Sequence, residues 1–108
     1  MSDAWKREVD TAIAADDPEE LLGVVIDIAL ASDDPAWAME RLVALARHPN
    51  TDVRGNALIA FAHLASRFDT VDRAAIVGVL RGARTDGERY VREQAEAALD
   101  ELGEGEEG

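Results

Sequence analysis

The chain has 108 residues and no cysteine, which leaves room for one domain and none for a disulfide or thiolate-metal framework. Eleven basic residues against twenty-three acidic ones give a net charge of −12, a field that repels nucleic-acid phosphates and anionic lipid headgroups and favours a basic or neutral protein partner. Alanine supplies twenty residues and the aromatics only five, so the apolar content suits closely packed helices better than sheet, alanine being a strong helix former and a weak strand former.

The opening Met1-Ser2-Asp3-Ala4-Trp5-Lys6-Arg7-Glu8 lacks the apolar run of a secretory signal. No later segment approaches the roughly 20 apolar residues of a membrane span, so the expectation is a soluble, cytoplasmic chain. Helix starts then follow in order. Asp17-Pro18-Glu19-Glu20 offers a capping Asp, Pro at the first helical position and Glu three residues after the cap, and Asp34-Pro35 repeats the cap and Pro. Asn50 or Thr51, Thr70 and Asp86 are the next cap candidates. The breaks they imply give six helical segments of about 11 to 18 residues. Asp86-Gly87 sits between two helix-period stretches and reads as a helix-to-helix turn rather than a hairpin.

A shift of 38 positions places Val53-Arg54 on Val91-Arg92, Asn56 on Gln94, Ala57 on Ala95, Ala60 on Ala98, Phe61 on Leu99 and Leu64 on Leu102. Size and polarity persist through two helices and their turn, which predicts a repeated antiparallel helix pair. The first pair aligns loosely, as a terminal capping repeat would.

Asp52-Val53-Arg54-Gly55-Asn56-Ala57 and Tyr90-Val91-Arg92-Glu93-Gln94-Ala95 resemble the second helix of HEAT repeats. That resemblance implies an all-α, right-handed α-solenoid of three HEAT-like antiparallel helix pairs. The six helices would form one domain over 1–102, with repeats at 4–31, 35–68 and 70–102 and a flexible acidic tail at 103–108. It also implies that Val53, Ala57, Val91 and Ala95 pack between helices, and that Asp52, Arg54 and Arg92 form a turn-to-turn ladder, with Tyr90 standing where the third repeat would carry its Asp. The longer string His48-Pro49-Asn50-Thr51-Asp52-Val53-Arg54, running on to Phe61-Ala62-His63-Leu64-Ala65, is similar to small bacterial HEAT-like immunity proteins of polymorphic or contact-dependent toxin systems.

In the helix from Thr51 to Phe68 the polar side chains Asn56, His63 and Arg67 fall on one stripe, with Ala60 between them. Under the 38-residue shift the track continues onto Gln94 and Glu101. The HEAT likeness puts the second helices on the concave surface, so these five residues form the expected partner-binding track. The competing reading is that Asn56 and His63 only satisfy neighbouring groups in a seam. Trp37 and Tyr90, near helix starts, join the track as aromatic anchors, although a Trp there equally fills the gap against the preceding repeat.

Charge divides unevenly along the chain. Residues 1–35 carry two basic against ten acidic side chains (−8), residues 36–92 nine against six (+3), and residues 93–108 none against seven (−7). Acidic ends could clamp a basic partner while the central arginines order the stack or grip carboxylates; the plainer reading is that acid confers solubility.

Catalysis finds no support. His48 and His63 are the two histidines, Ser2, Ser32 and Ser66 have no base at a recognisable spacing, and no metal-ligand motif or phosphate-binding glycine loop occurs. The reading is a non-enzyme without cofactor, metal, nucleic acid or membrane. It is expected to be a monomer that joins a toxin domain, for which a basic nuclease is the candidate, in a heterodimer. A HEAT scaffold or adaptor and an acidic DNA-mimic are the alternatives.

Overall fold

A computed structural model describes residues 3–104. They form six α-helices: α1 (Asp3–Ala15), α2 (Pro18–Ala31), α3 (Pro35–Leu45), α4 (Thr51–Arg67), α5 (Arg73–Ala83) and α6 (Arg89–Glu101). There is no strand among the described residues. Residues 105–108 of the expected tail lie outside them.

Local chemistry accounts for the starts. The Asp17 side chain accepts from the Glu19 N–H at 3.1 Å, Asp34 from Trp37 at 3.1 Å, and Asn50 from Asp52 and Val53 at 3.0 and 3.1 Å. Each satisfies a donor that the first turn leaves without an intrahelical partner. Two starts differ from expectation. Asp72, not Thr70, caps α5 by accepting from Ala75 at 3.0 Å. Helix α6 begins at Arg89 after Glu88, and Asp86 accepts from the Glu88 N–H at 2.9 Å as part of the preceding turn.

The short connections make successive helices antiparallel neighbours. Helix α4 packs against α2 and α6 on either side, so α2, α4 and α6 form one layer in that order. Helix α1 touches α2, α3 touches α2 and α4, and α5 touches α4 and α6, while α1, α3 and α5 do not meet through their backbones. The result is a slab of 46 × 29 × 16 Å, two helices thick.

The core runs through the slab without interruption, from Leu21, Val25 and Ile28 through Leu42, Val53, Phe61 and Leu64 to Ile76, Leu80, Val91 and Leu99. Alanine marks the closest approaches: Ala57, Ala60, Ala62, Ala95 and Ala98 are buried where α4 meets its neighbours. Phe61 is the largest fully buried side chain, and truncating such a group to Ala costs about 3–5 kcal/mol.

The repeat also explains where the acid lies. On α4 the side turned to the next pair is Gly55, Leu58 and Ala62, all buried. The 38-residue shift converts those positions in α6 to Glu93, Glu96 and Asp100, two exposed and one half-buried and paired with Arg84. A fourth pair has nothing apolar to stack on. At the other end, Glu20 and Asp27 of α2 are exposed at a spacing of seven. The chain therefore closes both ends of a short stack with carboxylates, as terminal repeats with polar outer faces do.

Beyond α6, Gly103 at φ 75° supplies the left-handed turn that lets the Glu104 N–H donate to the Leu99 carbonyl at 2.8 Å. Arg73 and Arg81 pair with the Glu104 carboxylate. Gly103 and Glu104, the first two residues of the expected tail, are thus part of the α6 cap.

Candidate functional site

Arg54 sets the geometry of the central turn. Its Nε and one terminal nitrogen donate to both carboxylate oxygens of Asp86, at 2.9 and 3.0 Å, and the other terminal nitrogen donates to the His48 and Pro49 carbonyls at 3.0 and 3.2 Å. Arg92 donates to the Asp86 carbonyl at 2.7 Å. Asp86, not Asp52, is thus the acid that Arg54 holds: Asp52 is exposed and makes no ion pair among the described residues. The Arg54 guanidinium beside Asp86 holds that carboxyl below the usual carboxylate range. One turn earlier, His48 Nε2 meets Asp16 Oδ1 at 2.5 Å, while His48 Nδ1 accepts from the Asn50 N–H. With Nδ1 accepting, the neutral ring carries its proton on Nε2 and donates it to Asp16.

Helix α4 turns one stripe out of the slab: Asp52, Asn56, Ile59, His63, Ser66 and Arg67, each half-buried or exposed. Ala60, expected on this stripe, is fully buried, and Ile59 takes the place between Asn56 and His63. The corresponding stripe on α6 is Tyr90, Gln94, Ala97 and Glu101. The two meet where the Tyr90 hydroxyl donates to Asn56 Oδ1 and its ring packs against Gly55. A Cβ on Gly55 would sit 2.6 Å from the Tyr90 ring and 3.3 Å from Gln94 Cγ, so only glycine permits this approach. Burial against α4, with the Asp52 charge as a lesser cause, pushes the Tyr90 hydroxyl up.

The structure therefore gathers Asn56, His63, Arg67, Tyr90, Gln94 and Glu101 on one face. Among them, His63, Gln94 and Glu101 make no hydrogen bond or ion pair among the described residues. Arg67 is already engaged, donating to the Ala29 carbonyl at 2.7 Å and lying 4.8 Å from the Phe68 ring. Trp37 is elsewhere. Its ring lies between α1 and α3, 5.4 Å from Trp5, with Arg41 and Lys6 at 5.1 and 5.5 Å from its centroid. It fills an inter-repeat gap. Sequence reasoning missed the α2 part of the face: Arg67 reaches the end of α2, and helical spacing brings Glu19, Gly23, Ile26 and Leu30 to the same side. Leu30 is 54% exposed, and the signal was an apolar residue at a position where a core helix should be polar.

Electrostatics separate the two signs. Among the described residues every cation except Arg7 and Arg47 is bound to an acceptor, usually across a turn or between helices, as Lys6 is to Asp34 and Arg41 to Asp10. Glu19, Glu20, Asp27, Asp52, Asp69, Asp100 and Glu101 have no cation among the described residues. Of the central arginines, Arg54, Arg84 and Arg92 are held in contacts that order the stack, and Arg47 alone has no acceptor among the described residues. Among the described residues no helix is long and apolar enough to cross a membrane.

No family model matches the chain, and no curated protein does. The HEAT likeness accordingly rests on the two Val-Arg strings and the stacked pairs. A solved structure does match. The crystal structure of a CDI complex from Cupriavidus taiwanensis LMG 19424 contains a chain that is 32% identical, with a TM-score of 0.80 over 89% of this chain and 84% of that one. The chain belongs to that protein's family. Identity at this level over nearly the whole of both chains extends beyond the fold, and it places this six-helix slab with a component of a protein complex.

Proposed function

We propose that the protein is an immunity protein of a contact-dependent inhibition system. It binds one toxin domain as a monomer and neutralises it stoichiometrically in the cytoplasm, without chemistry of its own. The match to a chain of a CDI complex carries this reading. The face made by α2, α4 and α6 supports it, with Asn56, His63, Arg67, Tyr90, Gln94 and Glu101 as the contacts. The joint of Tyr90 on Gly55 fixes the angle between α4 and α6 before binding, which reduces the ordering cost that limits affinity.

The partner is basic, because carboxylates without cations face outward while all but two of the basic side chains among the described residues are already held by acceptors. Charge complementarity of that kind raises association rate and suppresses wrong partners. A cationic nuclease domain fits; a HEAT adaptor without inhibitory role would share the fold but not the effect. The test is to mix the purified chain with the toxin domain encoded beside its gene. The expected result is a one-to-one complex, loss of toxin activity and an association rate that falls as salt rises. A toxin that stays active in a stoichiometric mixture overturns the reading in favour of an adaptor. Release on adding duplex DNA would point to a DNA-mimic.

A further inference from the structure

The two gaps in the outer layer are built differently. Between α1 and α3, Lys6 Nζ rests on Asp34 Oδ2 at 2.6 Å and lies over the Trp37 ring. Asp34 at the same time caps α3. Between α3 and α5 the matching acid is Asp72, 38 positions after Asp34, and it caps α5 in the same way. Its cation is missing. Aligning the buried Val9 and Ala12 of α1 with the buried Leu42 and Leu45 of α3 puts Met39 where Lys6 stands. Arg73, next to Asp72, is turned to the Leu102 carbonyl and Glu104. Asp72 therefore has no ion pair among the described residues, and beside it lies a cleft of about 390 Å³ lined by Pro35, Ala36, Met39, Thr70, Val71 and Asp72.

We infer that this cleft takes a lysine or arginine side chain of the protein partner, its alkyl stem over Met39, Pro35 and Val71 and its charged head on Asp72. The floor suits the stem of a long basic side chain, which buries its methylenes while keeping its charge at a polar rim. The rim carries the Asp72 carboxylate, so an acidic or purely apolar occupant leaves a charge unanswered. Lys6 on Asp34 is the internal precedent: a cation sits well beside the first turn of a helix when that turn carries an aspartate cap. This rests on the reading of the chain as a protein-binding module with a basic partner, and it adds a second contact on the edge of the slab away from the α2, α4 and α6 face.

Two substitutions isolate the cleft. Asp72→Asn removes the charge and keeps the cap, since Asn caps as well as Asp. Met39→Lys supplies the missing cation from within. The 15N-labelled chain is titrated with N-acetyl-lysine methylamide and followed by NMR. Amide shifts are expected at Met39, Val71, Asp72 and Ala75, and they disappear in both variants. Shifts that spread evenly over Asp27, Asp100 and Glu101, or that persist in the variants, overturn the site. Calorimetry against the toxin domain encoded beside the gene is the second arm, with about tenfold weaker binding expected for each variant at unchanged Tm. Wild-type binding with both variants within about twofold overturns the cleft. A toxin domain that does not bind the wild-type chain overturns the toxin reading, and the lysine titration then decides the cleft by itself.

Discussion

Arg54 and Asp86 are 32 residues apart in sequence and joined by two parallel hydrogen bonds, both side chains less than a fifth exposed. The pair ties the start of α4 to the turn before α6, and Arg54 also reaches the carbonyls that precede its own helix. One guanidinium thus fixes two successive turns. Arg54→Ala is expected to destabilise the fold by about 1.5–3 kcal/mol, the range for hydrogen bonds to charged groups with a carboxylate left unpaired. Arg54→Lys retains less than half of that contribution, because an ammonium cannot make the forked contact. Urea unfolding of the two variants measures the difference.

The same pair makes a pH prediction. Asp86 is held below its unfolded value by Arg54, so its contribution is present above the unfolded pKa of about 4 and is lost as pH falls through the lower folded value. Asp10, lowered by Arg41, acts in the same direction. Stability should be flat above about pH 5 in these groups and fall below about pH 4. In Asp86→Asn the acid limb should be shallower, as thermal unfolding between those pH values would reveal.

Gly55 and Gly78 should respond oppositely to the same substitution. Gly78→Ala adds a methyl with nothing within 4 Å and removes the entropic penalty of glycine in a helix, a gain of about 0.5–1 kcal/mol. Gly55→Ala drives a Cβ into the Tyr90 ring at 2.6 Å and should cost about 1–3 kcal/mol as an overpacked contact. The double variant Gly55→Ala/Tyr90→Ala should lose less than the sum of the two single changes, since the ring that clashes is gone.

Leu30, His63 and Glu101 should separate from Trp37 in a binding assay. Leu30→Glu, His63→Ala and Glu101→Lys change exposed or half-exposed positions, so Tm should move little while toxin affinity falls, most for the charge reversal against a basic partner. Trp37→Ala should do the reverse: it removes the ring that Trp5, Lys6 and Arg41 all contact and should cost about 2–4 kcal/mol of stability. Paired calorimetry and thermal melts decide it; a large affinity loss for Trp37→Ala at unchanged Tm would return that residue to the binding face.

The acidic end of the stack should be what keeps copies apart. Replacing Glu93, Glu96 and Asp100 with the Gly, Leu and Ala that α4 carries at the matching positions should give a chain that self-associates with rising concentration in sedimentation velocity, because its last helix then presents a stacking surface like the one on α4.

Much of this architecture was written along the chain. The Asp and Asn caps, the two Asp-Pro starts and the 38-residue repeat are local signals, spanning a turn or one helix pair, and they set six helices near their observed limits. The polar track from Asn56 to Glu101 was legible for the same reason, since helical periodicity assigns a face without reference to any neighbour. What the sequence could not decide was which distant group completes each contact. Arg54 could have met Asp52 or Asp86, and only the path of the turn before α6 brings Asp86 to both guanidinium nitrogens. Trp37 was divided between a surface and a seam until α1 placed Trp5 against it. Ile59 displaced Ala60 from the outer stripe because α4 has neighbours on two sides. The −12 total likewise acquired its meaning only in three dimensions: most of the arginines are folded into turn and interhelix contacts, and the carboxylates without ion pairs are spread over the ends, the α2, α4 and α6 face and the α3–α5 edge. Periodicity is a property of a helix, but pairing and burial are properties of how helices stack.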